Sequence, residues 1–181
     1  MKKTVFTFGL ISGAVSSAMM LVTLPFHERI GFDNAEIIGY TTIVLSSLLI
    51  FFGVRSYRDN VAGGHLTFGR ALRVGILISL VSGACYVATW QLVYYQLAPD
   101  FSEKYAAHYL ERKRADGATP AELEATVQQM ETFKEWYRNP LFNIAITFLE
   151  PFPISLAVSL ITAGVLRRRP EAGLRTAPAS H

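Results

Sequence analysis

The chain has 181 residues, of which 51% are hydrophobic and only 17% charged, with a formal net charge of +3 and a mean hydropathy of +0.29. Soluble domains carry roughly a quarter charged residues, and here the apolar residues gather into a few long runs, so disorder is excluded and an integral membrane protein is expected. The lone Cys85 has no disulfide partner and, inside an apolar run, reads as a small hydrophobe.

A helix that spans the hydrocarbon core needs about 20 mainly apolar residues at 1.5 Å each. Four stretches reach that length: 4–24, ended by Pro25; 37–54, ended by Arg55; 71–97, interrupted near its start by Arg73; and 141–166, ended by Arg167, Arg168 and Arg169. Peptide groups in lipid must be satisfied within the segment, so each is predicted to be a helix. Lys2, Lys3 and the small residues Ser16, Ser17 and Ala18 give the first span some likeness to a signal peptide. The hydrophobic run continues through Met19, Met20, Leu21 and Val22, which favours a retained span.

Orientation follows from the flanking Lys and Arg residues. The N-terminal flank, the loop between the second and third spans and the C-terminal tail together hold ten basic residues against two acids, while the other side holds seven against eleven. Both termini are therefore expected in the cytoplasm, with segment 99–139 outside. Arg55, Arg58, Arg167, Arg168 and Arg169 are placed to meet lipid headgroups. Residues 171–181, rich in Pro, Gly and Ala, are expected to be a disordered tail.

Segment 99–139 reads as a helical hairpin. Phe101, Tyr105 and Tyr109 recur every fourth residue, Gly117 supplies a stop, and Thr119-Pro120-Ala121-Glu122 has the form of a capping box. Leu123, Val127, Met130, Phe133 and Tyr137 form a second stripe. Mutual burial of the two stripes is the expected arrangement, with a docking surface as its rival. In segment 55–70, Gly63-Gly64 permits a tight turn and Thr67 is placed to cap the third span. No Walker-type spacing is present there.

Three stretches of wording occur in order along the chain: MKKTVFTFGLISG, RDNVAGGHLTFGRALRVGILISLVSG and NPLFNIAITFLEPFPISLAVSLITAGVLRRR. In these, and most specifically in the GG-x-x-T-F-G and T-F-L-E-x-F-P pieces, the chain resembles the bacterial membrane-protein family called domain of unknown function 4199. The resemblance covers nearly the whole chain. It implies four spans in a bacterial cytoplasmic membrane and brings no activity, cofactor or catalytic residue with it.

Glu150 is the only acidic residue within the four predicted spans. An ionisable group in a bilayer is costly and normally faces protein or water. Pro151 and Pro153 follow it and should kink or open the helix. Counted back from Leu166, Glu150 lies about 24 Å from the basic end, in the outer half of the membrane. Thr23, Tyr40, Thr41, Trp90, Gln91 and Tyr94 lie at similar depth and could hydrogen-bond a carboxylate. Tyr40, Gln91 and Tyr94 are accordingly its candidate partners. Two readings stand: a proton- or cation-responsive site beside a broken helix, or a Glu that only locks the fourth span to its neighbours.

Small residues recur every fourth position as Gly9, Gly13 and Ser17, as Gly75, Ser79 and Gly83, and as Ser155, Ser159 and Ala163. Such stripes let membrane helices approach closely, within one chain or in a homodimer. Trp90, Tyr94, Tyr95, Trp136 and Tyr137 fit an interfacial aromatic belt. The four His residues are scattered without ligand or catalytic spacing, so neither a metal, a cofactor nor an enzyme is expected. The basic residues lie at membrane edges, which disfavours nucleic acid. The sequence thus predicts an all-α, four-helix inner-membrane bundle with an extracytoplasmic hairpin between spans three and four. Its expected role is non-enzymatic, as an accessory or structural component working with the bilayer and an envelope partner; a small proton- or cation-coupled transporter or channel subunit is the alternative. The topology has a direct check: a probe cysteine at Ala118, introduced into a Cys85→Ala background, should react with a membrane-impermeant maleimide in intact cells.

Overall fold

The computed structural model describes residues 1–168, so Arg169 and the tail 171–181 lie outside the described residues. Nine α-helices follow in order: α1 (Lys2–Thr23), α2 (His27–Ile30), α3 (Phe32–Ser47), α4 (Leu49–Asn60), α5 (Phe68–Leu92), α6 (Phe101–Ala115), α7 (Pro120–Arg138), α8 (Pro140–Leu149) and α9 (Phe152–Leu166). Pairing α3 with α4 and α8 with α9 gives four helical rods long and apolar enough to cross a membrane: Lys2–Phe26, Phe32–Asn60, Phe68–Leu97 and Pro140–Leu166. The chain is an all-α, multi-pass membrane bundle.

The second rod is broken at Leu48, where no Pro or Gly stands. The Leu48 N–H is shared between the carbonyls of Val44 and Leu45, each at 3.2 Å, and the Ser46 hydroxyl donates back to the Ile43 carbonyl. Hydroxyls that bond to their own helix tend to bend it. At the far end of α5, Val93–Leu97 forms a wider π turn closed by Ala98 N–H to the Val93 carbonyl at 2.8 Å.

α5 packs against α1, α4, α8 and α9. Small residues permit this. A Cβ on Gly13 would stand 2.5 Å from the Cβ of Cys85, and one on Gly9 would stand 2.6 Å from that of Val81. On the other side of α5, a Cβ on Gly75 would meet the Ser159 hydroxyl at 2.8 Å, and one on Gly83 the Phe148 ring at 2.8 Å. All four predicted packing glycines therefore lie at helix contacts within the chain.

The close approach brings hydroxyls together. Ser12 donates to the Ser46 carbonyl at 2.9 Å, Ser16 to the Ser46 hydroxyl at 2.9 Å, and Ser82 to the Ser12 hydroxyl at 3.0 Å. Ser47 and Ser155 share a hydrogen bond of 3.1 Å. These bonds join α1, α3, α5 and α9 through the middle of the bundle. Toward the basic end the interior turns apolar: Val5, Ile50, Val54, Leu66, Val74 and Ile78 belong to one buried cluster.

That end is closed by a loop. Gly63 and Gly64 adopt positive φ, as the turn requires. Leu66 then pairs with Arg168 through two backbone hydrogen bonds of 3.0 and 2.9 Å, tying the loop to the end of α9. Thr67 stands at the N-cap of α5, but its side chain makes no capping bond. One expectation is corrected here. The Arg58 side chain is mostly covered and grips the Asp59 carboxylate at 2.7 and 3.3 Å, and the more exposed Arg55 stands 3.7 Å from the same carboxylate, so Asp59 competes with headgroups for both.

The 99–139 segment forms the hairpin of α6 and α7. Gly117 turns it at φ 82°. The Thr119 hydroxyl accepts from Glu122 N–H while the Glu122 carboxylate accepts from Thr119 N–H, completing the capping box. Those bonds hold the Glu122 carboxyl below the usual carboxylate range. The expected mutual burial of the two stripes is only partial. α6 and α7 pack together, yet no residue of α6 is fully buried, and Phe101 and Tyr105 also meet Phe32 of α3, each with ring centroids 5.9 Å apart.

Packing at α1 and α5 makes a quantitative prediction. Gly13→Leu must force the two helices apart and should lower stability by about 1–3 kcal/mol, as overpacking does. Gly164→Ala, where a Cβ meets nothing within 4 Å, should leave it unchanged or slightly raised. Thermal unfolding in detergent, followed by circular dichroism, checks both.

Candidate functional site

Glu150 stands at the break between α8 and α9. Pro151 and Pro153 carry no N–H, so the carbonyls of Thr147 and Leu149 lose their helical partners. The backbone remains right-handed across the gap, with φ −63° and ψ −57° at Glu150 and φ −80° and ψ −19° at Pro151. Of the two outcomes expected there, the helix kinks and does not unwind.

The Tyr86 hydroxyl of α5 donates to Glu150 Oε2 at 3.0 Å. No hydrogen bond reaches Oε1 from the described residues. Tyr86 was not among the candidate partners, though its signal was present: it lies three residues beyond Gly83 and so continues the Gly75–Ser79–Gly83 face that meets the fourth rod. Counting inward from Arg70 by the separation of Glu150 from Leu166 also lands on Tyr86.

The predicted partners divide. Tyr40 lines the same cavity as Glu150. Gln91 does not reach it; its amide donates to Asn143 Oδ1 at 2.7 Å, and Asn143 is fully buried. Tyr94 instead shares a hydrogen bond of 2.9 Å with Ser102. Gln91 thus ties α5 to α8, and Tyr94 ties the end of the third rod to α6 of the hairpin. Trp90 makes a similar tie, its indole N–H donating to the Tyr137 hydroxyl at 2.8 Å.

The cavity has a volume of about 520 Å³ and lies among α1, α3, α5, α8 and the hairpin. Glu150 and Tyr86 line one end of it. Thr23, Glu36 and Tyr40 stand on its sides, with aromatic rings from Trp90, Phe101, Tyr105, Phe133 and Tyr137. Burial, and then the nearby Glu36 carboxylate, hold the Tyr105 phenol above its ordinary value, and burial does the same to Tyr137. α3 and α8 share no extended packed face, and Tyr40 and Glu150, which both line the cavity, are exposed at the surface of the bundle.

A clasp forms the other end. Asp33 Oδ1 accepts from Arg112 Nη1 at 3.3 Å and stands 3.2 Å from His108 Nε2. Phe32 stacks on the His108 ring at 5.0 Å. This grouping pairs residue 33 with residues 108 and 112 and has no local pattern in the sequence. Among the described residues, the basic ones that line the cavity are Arg112 and His108, and both are on Asp33. Glu36 and Glu150 have no cationic side chain bonded to them among the described residues. Among those residues no three of His, Cys, Asp and Glu converge as a metal centre needs.

Toward the basic end from Glu150 lies a separate small pocket of about 10 Å³, ringed by serines that include Ser16, Ser47, Ser79 and Ser155. That is close to the minimum for one water. The site is thus a wide chamber lined by a carboxylate, with a small hydroxyl-lined pocket and the apolar cluster toward the basic end.

Neither the curated proteins nor the solved structures gave a match to the chain. The match that exists agrees with the wording of the GG-x-x-T-F-G and T-F-L-E-x-F-P segments: residues 7–168 fit the family model described as protein of unknown function, DUF4199, and the chain belongs to that family.

Proposed function

We propose that the chain is a small carrier or channel subunit of a bacterial cytoplasmic membrane, in which a proton or cation entering from the extracytoplasmic side is received by Glu150. The single observation behind this reading is the chamber of about 520 Å³ that reaches Glu150. A Glu that served only to lock helices would sit in dry packing with both oxygens bonded. Here one oxygen accepts from Tyr86 and the carboxylate borders open space. Orientation rests on charge: Lys2, Lys3, Arg55 and Arg167 mark the cytoplasmic end, and the acidic hairpin lies outside.

The break at Pro151 lies where such a site needs a movable wall. Lost helical bonds at Thr147 and Leu149 lower the cost of bending α8 against α9. The accessory reading has its own support in the sealed half of the bundle, where the apolar cluster and serine bonds leave no through-path in this conformation.

Glu150→Gln distinguishes the two. A Gln carbonyl still accepts from Tyr86, so folding should be preserved and thermal unfolding should shift little. Proteoliposomes loaded with a pH- or cation-sensitive dye should show flux with the natural chain and a loss of about tenfold or more with the variant, the consequence of removing roughly 1.4 kcal/mol of ion stabilisation. Unchanged flux, or a drop in stability without a flux defect, would favour the accessory role.

A further inference from the structure

The chamber is far larger than a proton or a bare metal ion needs, and its walls are specific. About 520 Å³ falls within the range of sites for small organic ligands. Rings of Tyr40, Tyr86, Trp90, Tyr105 and Tyr137 line it, and aromatic faces attract cations through their quadrupole. Its charge is one-sided. The Asp33 carboxylate is matched at the clasp by Arg112 and His108, whereas the other charged groups among the described lining residues are the carboxylates of Glu36 and Glu150. An anion would face two carboxylates without a compensating base. A small inorganic cation would leave most of the aromatic surface uncovered and would find no converging ligand set among the described residues.

We propose that the ligand of this chamber is a bulky, apolar organic cation, its charge seated between Glu150 and the aromatic rings. The proposal rests on the reading of Glu150 as a receiving site and adds the chemical class of what is received. The exposure of Tyr40 and Glu150 supplies a fitting approach. Both line the chamber and are open to the surroundings at membrane depth, and a hydrophobic cation concentrates in the interfacial region of a bilayer before it binds. Desolvation then strengthens both the ion pair and the cation–π contacts.

The test uses a pair of probes of matched shape and opposite charge. The full chain in neutral detergent is dialysed to equilibrium against tetraphenylphosphonium or tetraphenylborate, with empty micelles as the reference. Saturable binding of the phosphonium at one per chain is expected, with none of the borate. Glu150→Gln should weaken the phosphonium by about tenfold or more. Tyr40→Leu should weaken it as well, while Tyr40→Phe, which keeps the ring, should not. Among the described residues Tyr40 has no side-chain hydrogen bond whose loss would disturb the fold, so it stands in for Glu150 if that variant misfolds. Equal uptake of both ions, binding indifferent to Glu150 and Tyr40, or a retained lipid that the phosphonium does not displace would each overturn the proposal. Phosphonium binding without flux in proteoliposomes would uphold the ligand class and remove the carrier reading. Glu150-dependent proton flux without phosphonium binding would do the reverse.

Discussion

Close contact of helix backbones at Gly9 and Gly13 against α5, and at Gly75 against Ser159, is the constraint on which the rest of the bundle depends. In lipid there is no water to expel between helices, so apolar surface gives little drive for association and tight van der Waals contact must supply it. A serine hydroxyl is short. It can bridge two helices only where their axes are already close, and the glycines create that condition. Ser12, Ser16, Ser46 and Ser82 are therefore a consequence of the glycine contacts as much as a contribution beside them. Each such bond is worth well under 2 kcal/mol in a membrane, so the network specifies register more than it supplies stability.

This division of labour splits the molecule along its length. At the basic end the helices close on an apolar cluster and on the Leu66–Arg168 backbone pair. At the other end the helices separate, and large aromatic side chains of the hairpin take the place of direct helix contact. Phe101 packs edge-on to Trp90 at 4.9 Å, and Tyr137 packs edge-on to Tyr94 at 5.1 Å. Rings spaced in this way hold elements together without filling the volume between them. The chamber is what remains when α6 packs on α7 and only its Phe101 and Tyr105 rings reach across to Phe32 of α3.

How far the sequence reached depends on the range of each interaction. Long apolar runs and the capping box act over one helix or one turn, and they were legible: the four rods, the hairpin and its Thr119–Glu122 cap stand where local pattern placed them. The packing glycines were legible as a stripe, although not their partners Val81, Cys85 and Phe148. The break at Leu48 was hidden, because it comes from serine back-bonding and not from a Pro or Gly. Within the candidate site, Glu150 and its prolines stood out because a charge and two helix breakers in an apolar run are locally anomalous. Its partner did not, since hydrogen bonding depends on which face a residue presents. Gln91 and Tyr94 have suitable chemistry at suitable depth yet reach Asn143 and Ser102, while Tyr86 sits on the face that meets α8. The Asp33–His108–Arg112 clasp lay furthest from view, being a tertiary contact across most of the chain.

A carboxylate at membrane depth can be accommodated in three ways: by a fixed cation, by a proton, or by a charge that comes and goes. The fold of this protein rejects the first. Basic side chains are available nearby in sequence space, as Arg112 shows, but that guanidinium is held at the chamber mouth by Asp33. A fixed arginine at Glu150 would neutralise it permanently and leave the surrounding rings without purpose. One phenolic donor from Tyr86 orients the carboxylate without cancelling its charge. The aromatic walls then extend the same logic, since a ring face stabilises a cation that is present and costs little when it is absent. The junction at Pro151, where two helical hydrogen bonds are lost, places Glu150 where the chain bends with least resistance.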